Sequence, residues 1–171
     1  MKKGFTIIEL LVSLGIFVVV TAMVVTNFRG GSQSDELKIA ADTLVSNLRK
    51  AQNMALAGEQ VGGITPPGGY GVYFTLGTPL QYIVFADFNG NQKYDLGEDL
   101  LDGKIILAKN VVITGVQPLA NSSVVFKPPK PTAYINGGTA DNVLEVDLKH
   151  NISGKIRKIL VNRVSGRIDV E

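Results

Sequence analysis

Cysteine and tryptophan are absent from this 171-residue chain, and histidine occurs once, as His150. Without cysteine there is no disulfide framework, no thiolate-held zinc and no thiol catalysis. Also missing are a glycine-rich phosphate loop, a nucleophile elbow and any His/Cys cluster with metal-ligand spacing. A single histidine at the end of an alternating stretch, even with Asp147 nearby, does not make a catalytic site, and the chain reads as a non-enzyme. Seventeen Lys+Arg stand against 15 Asp+Glu, a formal charge of +2 that is too small to mark a polyanion binder by composition. No repeats or low-complexity tracts occur.

What is present is unevenly distributed. Residues 1–28 hold 18 hydrophobic residues and three charges, Lys2, Lys3 and Glu9. From Leu10 to Phe28 the chain is uncharged for 19 residues, close to the roughly 20 that a helix needs to cross about 30 Å of hydrocarbon. A cleaved secretory signal has a shorter apolar region and a small-x-small site. Here the run ends in Thr26-Asn27-Phe28-Arg29-Gly30-Gly31 without one. Lys2 and Lys3 precede the run, so the positive-inside rule predicts a single pass with a cytoplasmic N-terminus and everything beyond Arg29 outside. Glu9 is the anomaly, since a carboxylate inside a spanning helix costs about 2.5–3.5 kcal/mol on insertion scales and marks a functional position.

The surroundings of Glu9, Lys2-Lys3-Gly4-Phe5-Thr6-Ile7-Ile8-Glu9-Leu10-Leu11-Val12, resemble the class III signal of type IV pilins and pseudopilins. The resemblance implies a leader of residues 1–4 cut after Gly4 by a prepilin peptidase, N-methylation of the new terminus at Phe5, and a role for Glu9 in assembly. It implies as partners the peptidase, other pilin or pseudopilin subunits, an inner-membrane assembly platform and the lipid bilayer. A new ammonium at Phe5 would lie at the depth of a carboxylate, and opposite charges in low dielectric attract strongly when paired. Glu9 of one subunit would then pair with the Phe5 amine of a neighbour. Loss of the leader would remove Lys2 and Lys3, leaving 15 bases and 15 acids.

Residues 5–29 therefore read as a membrane and filament-core helix and 30–171 as an extracytoplasmic head. Leu37, Ala41, Leu44, Leu48, Ala51 and Ala55 recur at steps of three and four, which predicts an amphipathic helix over 35–57 stopped by Gly58. Gly30-Gly31 followed by Ser32, Ser34 and Asp35 predicts a break or bend near Gly30–Ser34. Beyond Gly62-Gly63 and Pro66-Pro67-Gly68-Gly69 the composition turns to strands. Candidates are 70–76, 80–86, 104–116 with an interruption near Asn110, 123–127, 143–149, 157–164 and 167–170. Leu144, Val146 and Leu148 alternate with Glu145, Asp147 and Lys149, predicting one face in and one out. Ser165-Gly166 reads as a hairpin turn, and Lys127-Pro128-Pro129-Lys130-Pro131 as a connecting loop. The fold class expected is α+β, with the stripe packed on a sheet, and the pilin resemblance implies a long N-terminal helix whose second half packs on an antiparallel, sandwich-like β head.

Between two strand candidates runs Asp87-Phe88-Asn89-Gly90-Asn91-Gln92-Lys93-Tyr94-Asp95-Leu96-Gly97-Glu98. Counted from Asp87, oxygen-bearing side chains of Asp87, Asn89, Asn91, Asp95 and Glu98 fall where an EF-hand loop places its ligands, with the Lys93 carbonyl at position seven. Gln92 stands where that loop has glycine. The spacing predicts a weak structural Ca²⁺ site; a plain hairpin rich in Asp, Asn and Gly is the alternative.

Lys155, Arg157, Lys158, Arg163 and Arg167 crowd the last strands with no intervening acid. On one face they would meet phosphates and bind DNA; scattered, they are a solvated strand surface. Tyr-Gly-Val-Tyr-Phe at 70–74, Tyr-Ile-Val-Phe-Ala-Asp at 82–87 and Ser-Gly-Arg-Ile-Asp-Val at 165–170 are similar to the FimT/GspH-type minor pilins and pseudopilins. That resemblance implies a structural subunit of a type IV pilus or type II secretion filament. A DNA-uptake pilin using the basic strands and an unprocessed membrane-anchored domain are the alternatives.

Overall fold

The structure, a computed structural model, describes Gly4, residues 6–128 and residues 133–171. Phe5 and most of the proline run lie outside the described residues. One helix, α1, extends over Ile7–Ala57, 51 residues, or about 75 Å at 1.5 Å per residue. Thr6 caps its start through a capping box with Glu9, and Gly58 ends it in the left-handed conformation at φ 61°. The break expected near Gly30–Ser34 is not there, because the helix runs through those residues. Two glycines cost about 1 kcal/mol each in a helix interior. With helix established on both sides, each residue in the gap adds a backbone hydrogen bond without a new nucleation step.

The two halves of α1 meet different surroundings. Leu37, Ala41, Leu44, Leu48, Ala51 and Ala55, the stripe expected from the spacing, are all at most 2% exposed. Ala40 and Val45 widen it. They close a core lined by two antiparallel sheets. The first has the order β3-β2-β1-β5-β6, with β1 Gly69–Thr75, β2 Gln81–Asp87, β3 Asp99–Ile106, β5 Asn121–Phe126 and β6 Ala133–Ile135. The second has the order β4-β7-β8-β9, with β4 Val111–Gln117, β7 Val143–His150, β8 Ile156–Asn162 and β9 Ile168–Val170. Tyr70, Val72 and Phe74 of β1 and Leu144, Val146 and Leu148 of β7 turn into the same core. Burying a side chain of this size stabilises by about 1.5–3 kcal/mol.

The expected strand over 104–116 is two strands in two sheets. β3 pairs with β2 and β4 with β7, and Asn110 makes the turn between them at φ 66°. β6 follows the proline run and pairs with β5. The terminal hairpin has a longer turn than Ser165-Gly166 alone, since Asn162 N–H donates to Arg167 O at 2.8 Å and the Asn162 side-chain oxygen accepts from Val164 and Ser165. Gly71 is fixed by packing: a Cβ there would lie 2.5 Å from Val124 O and 2.7 Å from the Phe85 ring.

Candidate functional site

At the membrane end, Thr6 N–H and Oγ1 donate to Glu9 Oε2 at 3.0 and 2.8 Å, and Glu9 N–H donates to Thr6 Oγ1 at 3.3 Å. The Glu9 carboxylate therefore closes the capping box of its own helix within one subunit, with hydrogen bonds already made. A neighbour's amine would add to this cap, not rescue a naked charge. Beyond it, Ile7–Val24 is apolar with none of its window buried in the head. Ser13 and Thr21 turn their hydroxyls back to the carbonyls of Glu9 and Phe17 at 2.7 Å, so neither leaves a donor unpaired in an apolar surrounding. An apolar helix exposed all round must be covered by lipid or by other helices.

Where α1 enters the head, a polar contact ties it to the second sheet. His150 continues the inward row of β7 and is fully buried. Ser153 N–H donates to its Nδ1 at 3.1 Å, which leaves the proton on Nε2, facing Glu36 Oε2 at 3.2 Å. Asn110 Nδ2 donates to the same oxygen at 3.4 Å. Lys155 Nζ donates to Ser34 Oγ at 2.6 Å. Sequence reasoning placed His150 as structural and missed Glu36. The parity of Leu144, Leu148 and His150 was the available signal for burial, but nothing local names a partner 114 residues away.

The acidic loop closes on itself. Asp87, fully buried, accepts from Gly90 N–H at 2.6 Å and Gln92 N–H at 2.7 Å. Asn89 and Asn91 both donate to Asp95 Oδ2 at 2.7 Å, which holds the Asp95 carboxyl below the usual carboxylate range. The two oxygens of Glu98 accept from Phe88 N–H at 3.1 Å and Asp95 N–H at 3.0 Å, while burial pushes its pKa up. Gln92 makes the turn itself at φ 60°, where an EF-hand loop uses glycine. Thus most side-chain oxygens of Asp87, Asn89, Asn91, Asp95 and Glu98 accept from N–H groups of the loop itself. Among the described residues no three His, Cys, Asp or Glu side chains come together to hold an ion. The Lys93 side chain lies against Gly137, and the Tyr94 ring turns toward the first sheet. Tyr94 stacks on Tyr73 at 4.4 Å and meets Phe85 edge-on at 5.3 Å, tying the loop to the outer face of the first sheet over Ile83, Phe85 and Val125.

The C-terminal bases do not share a face. Lys158 lies on the outer side of β8 against Glu145, with Asp147 at 3.8 Å, and the hydrogen bond to Glu145 raises its pKa. Arg157, on the opposite side of β8, lines a hollow with Ser34 and Leu37. Arg163 donates to Asp141 O at 3.0 Å and Arg167 to Asp169 at 2.7 Å, at the far end of the hairpin. Five bases adjacent in sequence are thus spread over two faces and two ends, and most of them are occupied.

A naked apolar helix, capped by a glutamate near its start and carrying a β-sandwich head on its second half, defines a pilin or pseudopilin subunit. Residues 1–25 match the prokaryotic N-terminal methylation motif, and residues 40–165 match the type II transport protein GspH family. The second match covers most of the chain, which belongs to the GspH family. No curated protein and no solved structure matches it.

Proposed function

We propose that this chain is a non-enzymatic structural subunit of a type II secretion or type IV pilus filament, inserted in the inner membrane with its N-terminus in the cytoplasm and its head outside. Prepilin peptidase cuts after Gly4, Phe5 is N-methylated, and Glu9 pairs with the Phe5 amine of a neighbouring subunit on the assembly platform. The observation that carries this reading is Glu9: one carboxylate near the start of a helix whose span of Ile7–Val24 is otherwise apolar and unburied. Its own capping contacts with Thr6 orient it toward the terminus that cleavage would create.

Mass spectrometry of the chain from membranes tests the processing. Loss of Met1–Gly4 with one added methyl on Phe5 is expected, and an intact Met1 overturns it. For assembly, Glu9→Val should leave insertion and leader removal unchanged while the subunit disappears from sheared filaments. Its recovery at normal amounts would remove the pairing role. The scattered bases of β8 and the terminal hairpin give DNA no continuous surface, so gel shifts at low salt should show no retardation.

A further inference from the structure

We propose that the β7–β8 turn, Asn151–Lys155, with Ile156 and Arg157 beyond it, is a docking surface for the headgroups of anionic phospholipids, on which the head rests before it leaves the membrane. The proposal depends on the membrane anchoring of the apolar half of α1. Four observations lead to it. Ile152 is 66% and Ile156 53% exposed, although neighbouring Ile159 is fully buried. Ile152 in the turn and Ile156 at the start of β8, both more than half exposed, form an apolar tip.

The position of this tip follows from its contacts with α1. Lys155 grips Ser34 and His150 faces Glu36, so the turn sits at the first turn of α1 that belongs to the head. Ser34 lies six residues after Phe28 and ten after Val24, or about 9–15 Å along the helix axis from the end of the apolar run. The headgroup layer occupies about 5–8 Å on each side of the hydrocarbon. A side chain projecting from the turn toward the bilayer spans the remainder.

Charge points the same way. Around the turn and the helix residues it touches stand Lys38, Lys109, Lys149, Lys155 and Arg157, against Asp35, Glu36 and Glu171. The surplus is positive and flanks the apolar tip, the combination that binds an anionic membrane surface. The far end of the head is the contrast, where the acidic loop carries Leu96 at 95% exposure beside Asp95 and Gly97.

The absence of cysteine makes the test direct. Full-length Ile152→Cys, Leu96→Cys and Val18→Cys variants, each carrying a nitroxide, are reconstituted in nanodiscs doped with a nickel-chelating headgroup lipid, with or without phosphatidylglycerol. Position 152 should relax strongly in anionic discs and weakly in zwitterionic ones, while position 96 stays silent. Adding Lys155→Gln should lower the docked-to-undocked ratio about fivefold, the effect of one base near an anionic surface. A label at 18 within the bilayer together with silence at 152 overturns the docking and leaves anchoring intact. Absence of 18 from the bilayer overturns both. A signal at 152 that ignores lipid charge, or that grows with the number of copies per disc, overturns the proposal in favour of contact between subunits.

Discussion

The two halves of α1 are one continuous helix with opposite ways of treating apolar surface. In the half over Ile7–Val24 the hydrophobic residues point in every direction and none is covered by the head. In the half over Leu37–Ala55 six of them form a stripe at most 2% exposed, and the rest of the circumference is mostly polar, with Ile39 the large apolar exception. Composition alone would call both helical. Distribution around the axis decides what each must meet: the first needs a solvent or a bundle that is apolar on all sides, the second needs one wall. The exposed half and the half that the head covers therefore use different residues of the same element and can be perturbed separately.

The largest expected effect breaks the stripe. Leu48→Ala should destabilise the head by about 2–5 kcal/mol, read by chemical denaturation in detergent. Leu11→Ala in the other half should leave that transition where it was. A comparable loss from both would show that the head also depends on the exposed half. Next comes the clasp at the boundary: Glu36→Ala strands the buried Nε2 proton of His150 and should cost about 1–3 kcal/mol. Glu36→Gln keeps an acceptor and should recover most of it. At the far end of the stripe, Gly58→Ala places a Cβ on a left-handed residue and should cost about 1 kcal/mol without changing the core. The smallest effect concerns the acidic loop, whose oxygens already have donors. The melting temperature should move by less than about 1 °C between millimolar calcium and chelator, since an ion that does not bind adds nothing to stability. A rise of several degrees would restore the metal reading of the Asp87–Glu98 spacing.

Period and parity carried most of what was legible in the sequence. The stripe of α1 and the inward row of β7 were both readable because each depends only on local spacing. Sheet membership was not. Nothing in 104–116 says that β3 joins β2 while β4 joins β7, because that choice is made by strands far along the chain. β6 was missed for a different reason: three residues after a proline run carry too short a pattern, and pairing with β5 makes the strand. At the candidate sites, Gly4, Phe5 and Glu9 were legible as a motif, whereas the Thr6 cap on Glu9 is a matter of side-chain direction. The apparent basic patch failed on parity, since Arg157 and Lys158 are consecutive strand residues and must face opposite ways. Glu36 had no local signature, being an ordinary acid on the polar side of a helix until His150 arrives.

The contacts of the packed half-helix also have a consequence in time. Gln52 bonds to Gly166 and Glu36 to His150, each across 114 residues. During synthesis at about 5–20 residues per second, these two contacts therefore wait roughly 6–23 s for their partners, although β1, which also packs on the stripe, follows the helix closely. Throughout that interval the part of the stripe that β7 and β8 cover stays open. Four of its buried residues, Ala40, Ala41, Ala51 and Ala55, are alanines, the least adhesive apolar side chain available. A stripe made of leucine at those places would bind the head no better without repacking, and would give a waiting, half-made subunit more surface with which to capture its neighbours.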